Sequence, residues 1–239
     1  MSVDDFTDPG NPEHPPIELA SPAHGVSAWW AQLAASEDEV ARLATWLAPE
    51  EHARAARYSR PGLAQRYIVG RASLRWVLGR TLGIAPGAVP ILRDARGRPY
   101  LDGDFGIDFN VSNTEGVALI GITREGRIGV DIEHSARRVR ADGLARKLLT
   151  PAERATLAPL AEAERRARFL RYWTCKEAMS KATGDGLAAP FREMEVKLGS
   201  DIALVDGPHP YDSKGWHLCA IDVAAGFIAT AALWSGRSE

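Results

Sequence analysis

The sequence predicts an α+β fold of two similar halves, each a small sheet packed by helices. Two observations carry this prediction. β-rich runs stand before and after the helical stretches, and the order strand, helices, strands occurs twice along the chain. With 239 residues the chain is long enough for two small domains. We therefore expect an N-terminal half over residues 23–125 and a C-terminal half over residues 126–239.

In the first half, residues 26–35 predict a strand that runs into a loop or a short helix. Pro49 precedes two acidic residues, as at a helix start, and this helix extends to about Ser59. Apolar residues at helical spacing predict a second helix over residues 63–81, which ends at Gly83. Two β-rich runs complete this half, at residues 107–113 and 117–122.

The second half begins with a strand over residues 128–133, joined to the previous strand by a hairpin. Thr150 and Glu153 have the spacing of a capping box and predict a helix start. A long helix follows over residues 161–183 and ends at Gly184. Four further strands are predicted at residues 193–198, 201–205, 215–222 and 226–233.

Composition restricts the class of protein. Residues 1–22 begin with an acidic, proline-rich stretch that lacks the features of a secretory signal, so we expect a disordered leader. No apolar run is long enough for a transmembrane helix. Two cysteines make no disulfide framework, which favours the cytoplasm. A net charge of -2 argues against a general nucleic-acid-binding protein.

One segment has a strong local charge. Between Arg54 and Arg80 the chain contains seven arginines and no acidic residue. This arginine-rich segment has two interpretations: a solvated helix surface, or a site where several guanidinium groups converge on the phosphates of a small polyanion.

Two acids share one face of the strand at residues 128–133. Because side chains alternate along a strand, Ile128, Val130 and Ile132 face a core, whereas Asp131 and Glu133 share the opposite face with Gly129. Gly129 leaves open space beside the acids on this interpretation. Two carboxylates so placed repel each other and favour a bound cation. The alternative is the solvent-facing side of an amphipathic strand.

A third acid lies on the long helix. Glu177 falls one turn after Trp173, within an apolar stripe, and Lys181 follows one turn later. The alternative is an ordinary surface Glu–Lys pair. Three carboxylates without His or Cys suit Mg²⁺ or Mn²⁺, and Mg²⁺ keeps positions open for substrate phosphates. The pattern therefore indicates phosphoryl-group chemistry on a substrate that contains a pyrophosphate.

These residues belong to motifs that resemble the signature of the 4′-phosphopantetheinyl transferases. Two motifs carry most of the resemblance: Gly129–Glu133, and Trp173–Ala178 continued by Lys181–Leu187. Upstream pieces agree, namely Phe109–Asn113, Gly97–Tyr100 and the arginine-rich helix pair after Pro49. The resemblance covers about residues 45–190, and the chain length resembles the monomeric Sfp-type enzymes, which have two halves related by pseudo-twofold symmetry.

The resemblance implies a reaction. Such enzymes transfer phosphopantetheine from coenzyme A to a serine of an acyl or peptidyl carrier protein and release 3′,5′-ADP, in fatty-acid, polyketide or nonribosomal-peptide biosynthesis. It implies a cytoplasmic monomer with no nucleic-acid or membrane partner. Two alternatives stay open: a coenzyme A-binding homologue that has lost transfer activity, and an unrelated Mg²⁺-dependent phosphohydrolase.

The resemblance also implies roles for residues. Asp131, Glu133 and Glu177 hold the metal, and Glu177, Lys181 and Glu153 act in catalysis, Glu153 as a base for the serine hydroxyl. Coenzyme A contacts fall to Arg54, Arg66, Ser112, Asn113, Lys176 and Lys181, and to Gly97, Arg98 and Pro99, which line the adenine pocket. Three residues depart from the family pattern: Asn113 replaces a histidine, Glu51 replaces a basic residue and Arg98 replaces a lysine.

Overall fold

The chain runs twice through one order of elements. The computed structural model describes residues 11–23, 25–137 and 141–236. A strand leads into three helices, a two-stranded ribbon and two longer strands. The first half contains β1 (Ile17–Glu18), β2 (Val26–Gln32), α1 (Glu37–Ala44), α2 (Pro49–Ala55), α3 (Pro61–Leu82), β3 (Ile91–Arg93), β4 (Pro99–Leu101), β5 (Asp108–Thr114) and β6 (Val117–Thr123). The second contains β7 (Arg127–His134), α4 (Ala141–Leu148), α5 (Pro151–Leu157), α6 (Glu162–Thr183), β8 (Glu195–Lys197), β9 (Ala203–Asp206), β10 (Trp216–Ile221) and β11 (Phe227–Trp234).

The two main sheets have equivalent topologies. The first has the strand order β1-β2-β6-β5 and the second β10-β11-β7, with antiparallel neighbours throughout. In the first sheet the last strand, β6, lies between β2 and β5, and in the second the last strand, β11, lies between β7 and β10; β1 is an additional outer strand of the first sheet. The prediction of an α+β fold with two similar halves is confirmed. The chain passes from the first sheet to the second at residues 124–126, so the predicted hairpin is wrong: β6 pairs with β2 and β5, whereas β7 pairs with β11.

Apolar side chains divide between the helix faces and the space between the sheets. One cluster packs the helices of the first half on its sheet, and a second does the same in the second half. A third cluster lies between the two sheets and includes Ile128, Val130 and Ile132. The predicted core face of β7 is therefore confirmed, and its other face is directed at α6.

Side chains join the two sheets where their edges meet. Strands β5 and β7 are both edge strands. Alternate side chains of β5 accept hydrogen bonds from alternate backbone N–H groups of β7: Asp108 from Ile128 at 2.8 Å, Asn110 from Val130 at 3.0 Å and Ser112 from Ile132 at 3.3 Å. We call this junction the seam. It satisfies buried N–H groups that no strand pairs.

Part of the predicted leader is ordered against the first half. β1 pairs with β2 through Ile17 and Trp30, and the Glu13 carboxylate accepts a hydrogen bond from Ser36 Oγ at 2.7 Å. The prediction of disorder is therefore wrong for residues 11–22, because these contacts connect positions that are distant in sequence. Residues 1–10 of the predicted leader lie outside the described residues.

Several short elements escaped the sequence analysis. Helix α1 begins at a Ser36 cap and places three acids in its first turn, and α4 precedes the predicted capping box. Strands β3 and β4 flank the turn at residues 94–98 and pair with each other. Among the helices that the structure describes, none has both the length and the apolar character of a membrane span.

Candidate active site

Lys181 lies on the seam, near the end of α6, and contacts both halves. Its Nζ donates to Ser112 Oγ at 2.8 Å, to Asp131 Oδ1 at 2.7 Å and to the Val130 carbonyl at 3.2 Å. Ser112 Oγ in turn donates to Asp131 Oδ1 at 2.9 Å. The three donors of the ammonium are thus all engaged. The first half supplies Ser112, and the second half supplies the acid and the lysine.

Gly129 allows α6 to come this close to β7. A Cβ atom at Gly129 would lie 1.9 Å from the Ala178 carbonyl oxygen and 2.6 Å from the Ala182 nitrogen. The expectation of open space beside the acids is therefore wrong, because the backbone of α6 fills that space. With no side chain between strand and helix, Glu177 and Lys181 reach the acidic face of β7.

The acids on this face have different partners. Glu133 Oε1 accepts a hydrogen bond from Trp173 Nε1 at 3.0 Å and forms an ion pair with Arg137. Asp131 Oδ2 and Glu177 Oε1 are buried and have no hydrogen-bond partner among the described residues. A buried carboxylate oxygen without a partner is costly, so these two atoms indicate a missing ligand.

The surroundings raise the proton affinity of Glu177 and of Glu133. Burial raises the pKa of Glu177 to about 7, Lys181 opposes the shift, and the charges of Asp131 and Glu133 add to it. Burial, followed by the charge of Asp131, also raises the pKa of Glu133, while Arg137 opposes it. The site therefore concentrates negative charge that a further cation would stabilise.

The predicted metal ligands differ in whether their carboxylate oxygens are already engaged. In the part of the chain that the structure describes, no three Asp, Glu, His or Cys side chains are gathered closely enough to form a ligand set. Lys181 contacts Asp131, and Arg137 contacts Glu133, so cationic side chains neutralise two of the acids. The uncommitted oxygens of Asp131 and Glu177 nevertheless fit a hard divalent cation such as Mg²⁺.

Some arginines of the arginine-rich segment line a cleft, and others are buried in the fold. Arg54, Arg57 and Arg71, with Arg93 from β3, line a cleft of about 670 Å³, here called the arginine cleft. Burial, followed by the charges of Arg71 and Arg54, lowers the pKa of Arg93. This crowding of cations is typical of an anion site. The predicted ligand Arg66 is exposed and is not among the residues that line the cleft.

Glu51, which departs from the family pattern, has its carboxylate engaged by contacts within the fold. It is buried, accepts a hydrogen bond from the Ala48 nitrogen at 3.0 Å, and forms ion pairs with Arg71 and Arg75. Arg75 also donates to the carbonyls of the loop after α3. Glu51 thus brings no uncompensated negative charge to the cleft.

Glu153 and Lys176 form an enclosed pair away from solvent. Glu153 is 1% exposed and accepts hydrogen bonds from Thr150 N at 2.8 Å, Val196 N at 2.9 Å and Lys176 Nζ at 2.6 Å. Lys176 is 0% exposed and also donates to the Leu148 and Phe191 carbonyls. The contacts of both residues are internal, so the structure favours a supporting role over the predicted roles in proton transfer and coenzyme A binding.

The structure separates Ser112 from Asn113 and reassigns Arg98. Because side chains alternate on β5, Ser112 faces the seam while Asn113 is exposed on the other side. Gly97 is exposed in the turn before β4 with a φ of 83°, and Pro99 begins β4. Arg98, expected to line an adenine pocket, buries its side chain and donates to Asp108 and to the Lys181 carbonyl.

Some participants were not predicted. Asp108 and Asn110 support the seam, and Arg137 and Trp173 bind Glu133. The signal for the seam was the alternation of polar residues Asp108, Asn110 and Ser112 along β5. A strand face that packs on an apolar core would have apolar residues at these positions. Arg137 follows Glu133 by four residues, but that spacing predicts contact only in a helix.

Family models match both halves of the chain. A family model described as 4′-phosphopantetheinyl transferase, N-terminal matches residues 30–123, and one described as 4′-phosphopantetheinyl transferase superfamily matches residues 127–220. The chain is 36% identical over 190 residues to the 4′-phosphopantetheinyl transferase HetI of Nostoc sp., which covers 78% of this chain and 79% of the relative.

Two further relatives carry the same activity in their names. The chain is 28% identical over 187 residues to the 4′-phosphopantetheinyl transferase pptA of Paxillus involutus, covering 70% of each chain. It is 30% identical over 128 residues to the 4′-phosphopantetheinyl transferase AcpT of Escherichia coli, covering 52% of this chain and 65% of the relative. The prediction of an enzyme is confirmed: the chain belongs to the 4′-phosphopantetheinyl transferase superfamily.

Proposed function

We propose that the protein transfers the 4′-phosphopantetheine group from coenzyme A to a serine hydroxyl of an acyl or peptidyl carrier protein, with Mg²⁺, and releases 3′,5′-ADP. One observation carries the proposal. The Lys181 ammonium joins Ser112 and Asp131 across the seam, beside two buried carboxylate oxygens that have no partner among the described residues. This combination suits a substrate with a pyrophosphate and a metal ion.

The arginine cleft supports the nucleotide end of this substrate. Its guanidinium groups suit the 3′-phosphate of coenzyme A, because Arg presents a fork of donors to phosphate oxygens. A chain of contacts connects the cleft to the seam. Arg93 donates to the Gly97 carbonyl at 2.6 Å, and the next residue, Arg98, donates to the Lys181 carbonyl at 3.0 Å. We propose that one extended ligand uses both places.

The acids of β7 and α6 would hold the metal ion. Asp131 and Glu177 offer uncommitted oxygens, and Glu133 completes the proposed set. When bound, Mg²⁺ neutralises pyrophosphate charge and polarises the phosphorus that is attacked. Mn²⁺ accepts the same oxygen donors.

The remaining chemistry falls to the side chains. The serine oxygen forms a bond to the phosphorus that bears pantetheine, and the bond from that phosphorus to the bridging oxygen breaks. The Lys181 ammonium, held beside Asp131, stabilises by its positive charge the negative charge that develops on the departing 3′,5′-ADP. The serine proton needs an acceptor, and we assign this role to the Glu177 oxygen that is not on the metal, because Glu153 is enclosed.

A single chain supplies every proposed group. Ser112 comes from the first half, and Asp131 and Lys181 come from the second, so the site needs no second copy. We therefore propose a monomeric enzyme. Cys175 and Cys219 are both free thiols, which accords with a reducing compartment such as the cytoplasm.

Intact-protein mass spectrometry tests the proposal directly. The protein is mixed with coenzyme A, Mg²⁺ and apo carrier proteins from fatty-acid, polyketide and nonribosomal-peptide systems, with EDTA in a parallel reaction. We expect one carrier to gain one phosphopantetheine, and EDTA to prevent the gain. Coenzyme A binding without transfer to any carrier would instead support the inactive homologue. Phosphate release without a carrier would support the phosphohydrolase.

Variants connect the activity to the site. We expect Asp131→Ala and Glu177→Ala to abolish transfer while both proteins stay folded by circular dichroism. Asp201→Ala, which removes an exposed acid, is the matched control and should transfer at the wild-type rate. Unfolding of both site variants would identify these acids as structural instead.

A further inference from the structure

Arg98 makes more contacts across the two halves than its position in a surface turn suggests. Its Nη1 and Nη2 donate to the two carboxylate oxygens of Asp108 at 3.0 and 2.6 Å. Nη2 also donates to the Ile128 carbonyl at 3.0 Å, and Nε donates to the Lys181 carbonyl at 3.0 Å. Residue 98 is only 7% exposed. The guanidinium therefore joins β5, β7 and α6 at one point.

This geometry requires an arginine. A buried cation is tolerated when a paired charge and further hydrogen bonds satisfy it, and the planar fork of Arg98 does so with Asp108 and two carbonyls. The Asp108 carboxylate also accepts from the Ile128 nitrogen at 2.8 Å. Lysine has a single nitrogen and would leave part of this network without a donor.

We propose that Arg98 is a positioning residue for the transfer reaction: it holds the last turn of α6 against the seam, so that the Lys181 ammonium stays on Ser112 and Asp131. The inference rests on the role proposed for Lys181. It differs from lining an adenine pocket, because it acts through the position of a neighbouring group and not through contact with the nucleotide.

Two contacts make Lys181 the group that Arg98 controls. Arg98 binds the backbone carbonyl of Lys181 itself. It also binds the carbonyl of Ile128, two residues before Val130, whose carbonyl accepts from Lys181 Nζ. The backbone and the ammonium of Lys181 are thus anchored to one short stretch of β7. A cation at the end of α6 also interacts favourably with the helix dipole.

A double-mutant cycle tests the proposal with the carrier that the wild-type enzyme modifies fastest. We expect Arg98→Lys to lower kcat by about tenfold to a hundredfold, since small displacements of a reacting group have effects of this size. KM for coenzyme A should change less than about threefold. In a Lys181→Ala background, Arg98→Lys should lower kcat no further. The matched control is Arg96→Lys, in the same turn but on an exposed ion pair with Asp185, and it should keep wild-type kinetics.

Hydrogen exchange gives a readout that does not depend on activity. Arg98→Lys should speed amide exchange in β7 and in the last turn of α6, and leave exchange in α3 unchanged. Asp108→Asn keeps an acceptor for the Ile128 nitrogen but weakens the pair with Arg98. It should show the same changes to a smaller degree, and it serves if Arg98→Lys fails to fold.

Each contrary result has a distinct meaning. A rise in KM for coenzyme A with unchanged kcat would overturn the proposal in favour of nucleotide binding by Arg98. Equal losses from Arg98→Lys with and without Lys181 would assign Arg98 a general structural role. Full activity of Lys181→Ala would refute the role proposed for Lys181. Absence of transfer by the wild type would refute the proposed function, whereas the exchange results would still report on the anchor.

Discussion

The two halves are built around the same buried pair and differ in what lies between helix and sheet. Helices α3 and α6 each have 22 residues and end at a glycine in the left-handed conformation. Arg75 and Lys176 occupy the same position in these helices. Each binds the acid that caps the preceding short helix, Glu51 or Glu153, and two backbone carbonyls.

The difference lies one residue further along each helix. Trp76 stands where α6 has Glu177, and it packs edge-on against Trp29 of β2 with ring centroids 6.1 Å apart. Arg80, at the position of Lys181, lies over the Trp76 ring. In the second half, Gly129 and Ala178 bring strand and helix together. The same arrangement of helix and sheet therefore supports an anion cleft in the first half and a charged site in the second. The size of the side chains between helix and sheet makes the difference.

The capping acids also differ in their electrostatics. Burial raises the pKa of Glu51, but Arg71 and the hydrogen bonds from Ala48, Arg75 and Arg71 outweigh it, so the pKa falls below its usual value of 4.5. Burial raises the pKa of Glu153 above 4.5, because one lysine compensates it incompletely. The two arginines thus favour the ionised form of Glu51 more than the one lysine favours the ionised form of Glu153.

The largest expected effect tests the helix–sheet contact. Gly129→Ala places a Cβ atom against the α6 backbone, and we expect the free energy of unfolding to fall by more than about 4 kcal/mol, with loss of transfer. Gly70→Ala on α3 is the comparison in the first half. Its Cβ would meet only Leu33 Cδ2 at 3.3 Å, so its stability should change by less than about 1 kcal/mol. Urea denaturation measures both, and equal losses would contradict the comparison.

Glu51→Gln tests the pair in the first half. It leaves Arg71 and Arg75 buried without a full countercharge, and we expect a loss of about 3 kcal/mol at neutral pH. Because the pKa of Glu51 is lowered, its ionised form stabilises the fold above pH 4.5, and this contribution is lost as the pH falls through the lowered pKa. The difference in Tm between variant and wild type should therefore narrow below about pH 4.5. A constant difference would show that Glu51 does not titrate in this way.

Glu153→Gln sharpens the comparison in the second half. The carboxamide keeps an acceptor oxygen but loses the charge that Lys176 binds, and we expect a loss of about 2 kcal/mol. At a temperature where the variant is folded, kcat should stay within about threefold of wild type. A general base would instead contribute about a hundredfold or more. Steady-state kinetics beside a melting curve separates the two roles, and a hundredfold loss would restore the catalytic assignment.

The smallest expected effect concerns β5, the strand of the first half that contacts β7 at the seam. Asn113→Ala removes an exposed side chain, and we expect stability to change by less than about 0.5 kcal/mol. Ser112→Ala, one residue earlier, removes the hydroxyl that accepts from Lys181 and should lower kcat. Equal kinetics for the two variants would show that the alternation on β5 does not matter for transfer.

Periodicity predicted most of the framework. The long helices were anticipated to within two residues at each end, because apolar spacing and a glycine end agree there. Alternation on β7 separated Ile128 and Val130 from Asp131 correctly. Local patterns of this kind need only neighbouring residues, so the sequence contains them completely.

The contacts between distant segments could not be predicted in the same way. Nothing local to Gly129 shows that Ala178 will rest on it, and nothing local to Arg98 shows that its partners lie on β5, β7 and α6. The enclosure of Glu153 likewise depends on Val196, which is 43 residues away. These contacts arise from tertiary packing, and they are what distinguish supporting residues from those in the candidate site.

The seam has a further consequence for how the protein behaves at high concentration. An unpaired strand edge can recruit a strand from another chain and start aggregation. Strands β5 and β7 are both such edges, and the side chains of Asp108, Asn110 and Ser112 occupy the N–H groups of β7 that an incoming strand would use. Each sheet thus shields the other, and the residues that support Lys181 also keep this edge from self-association.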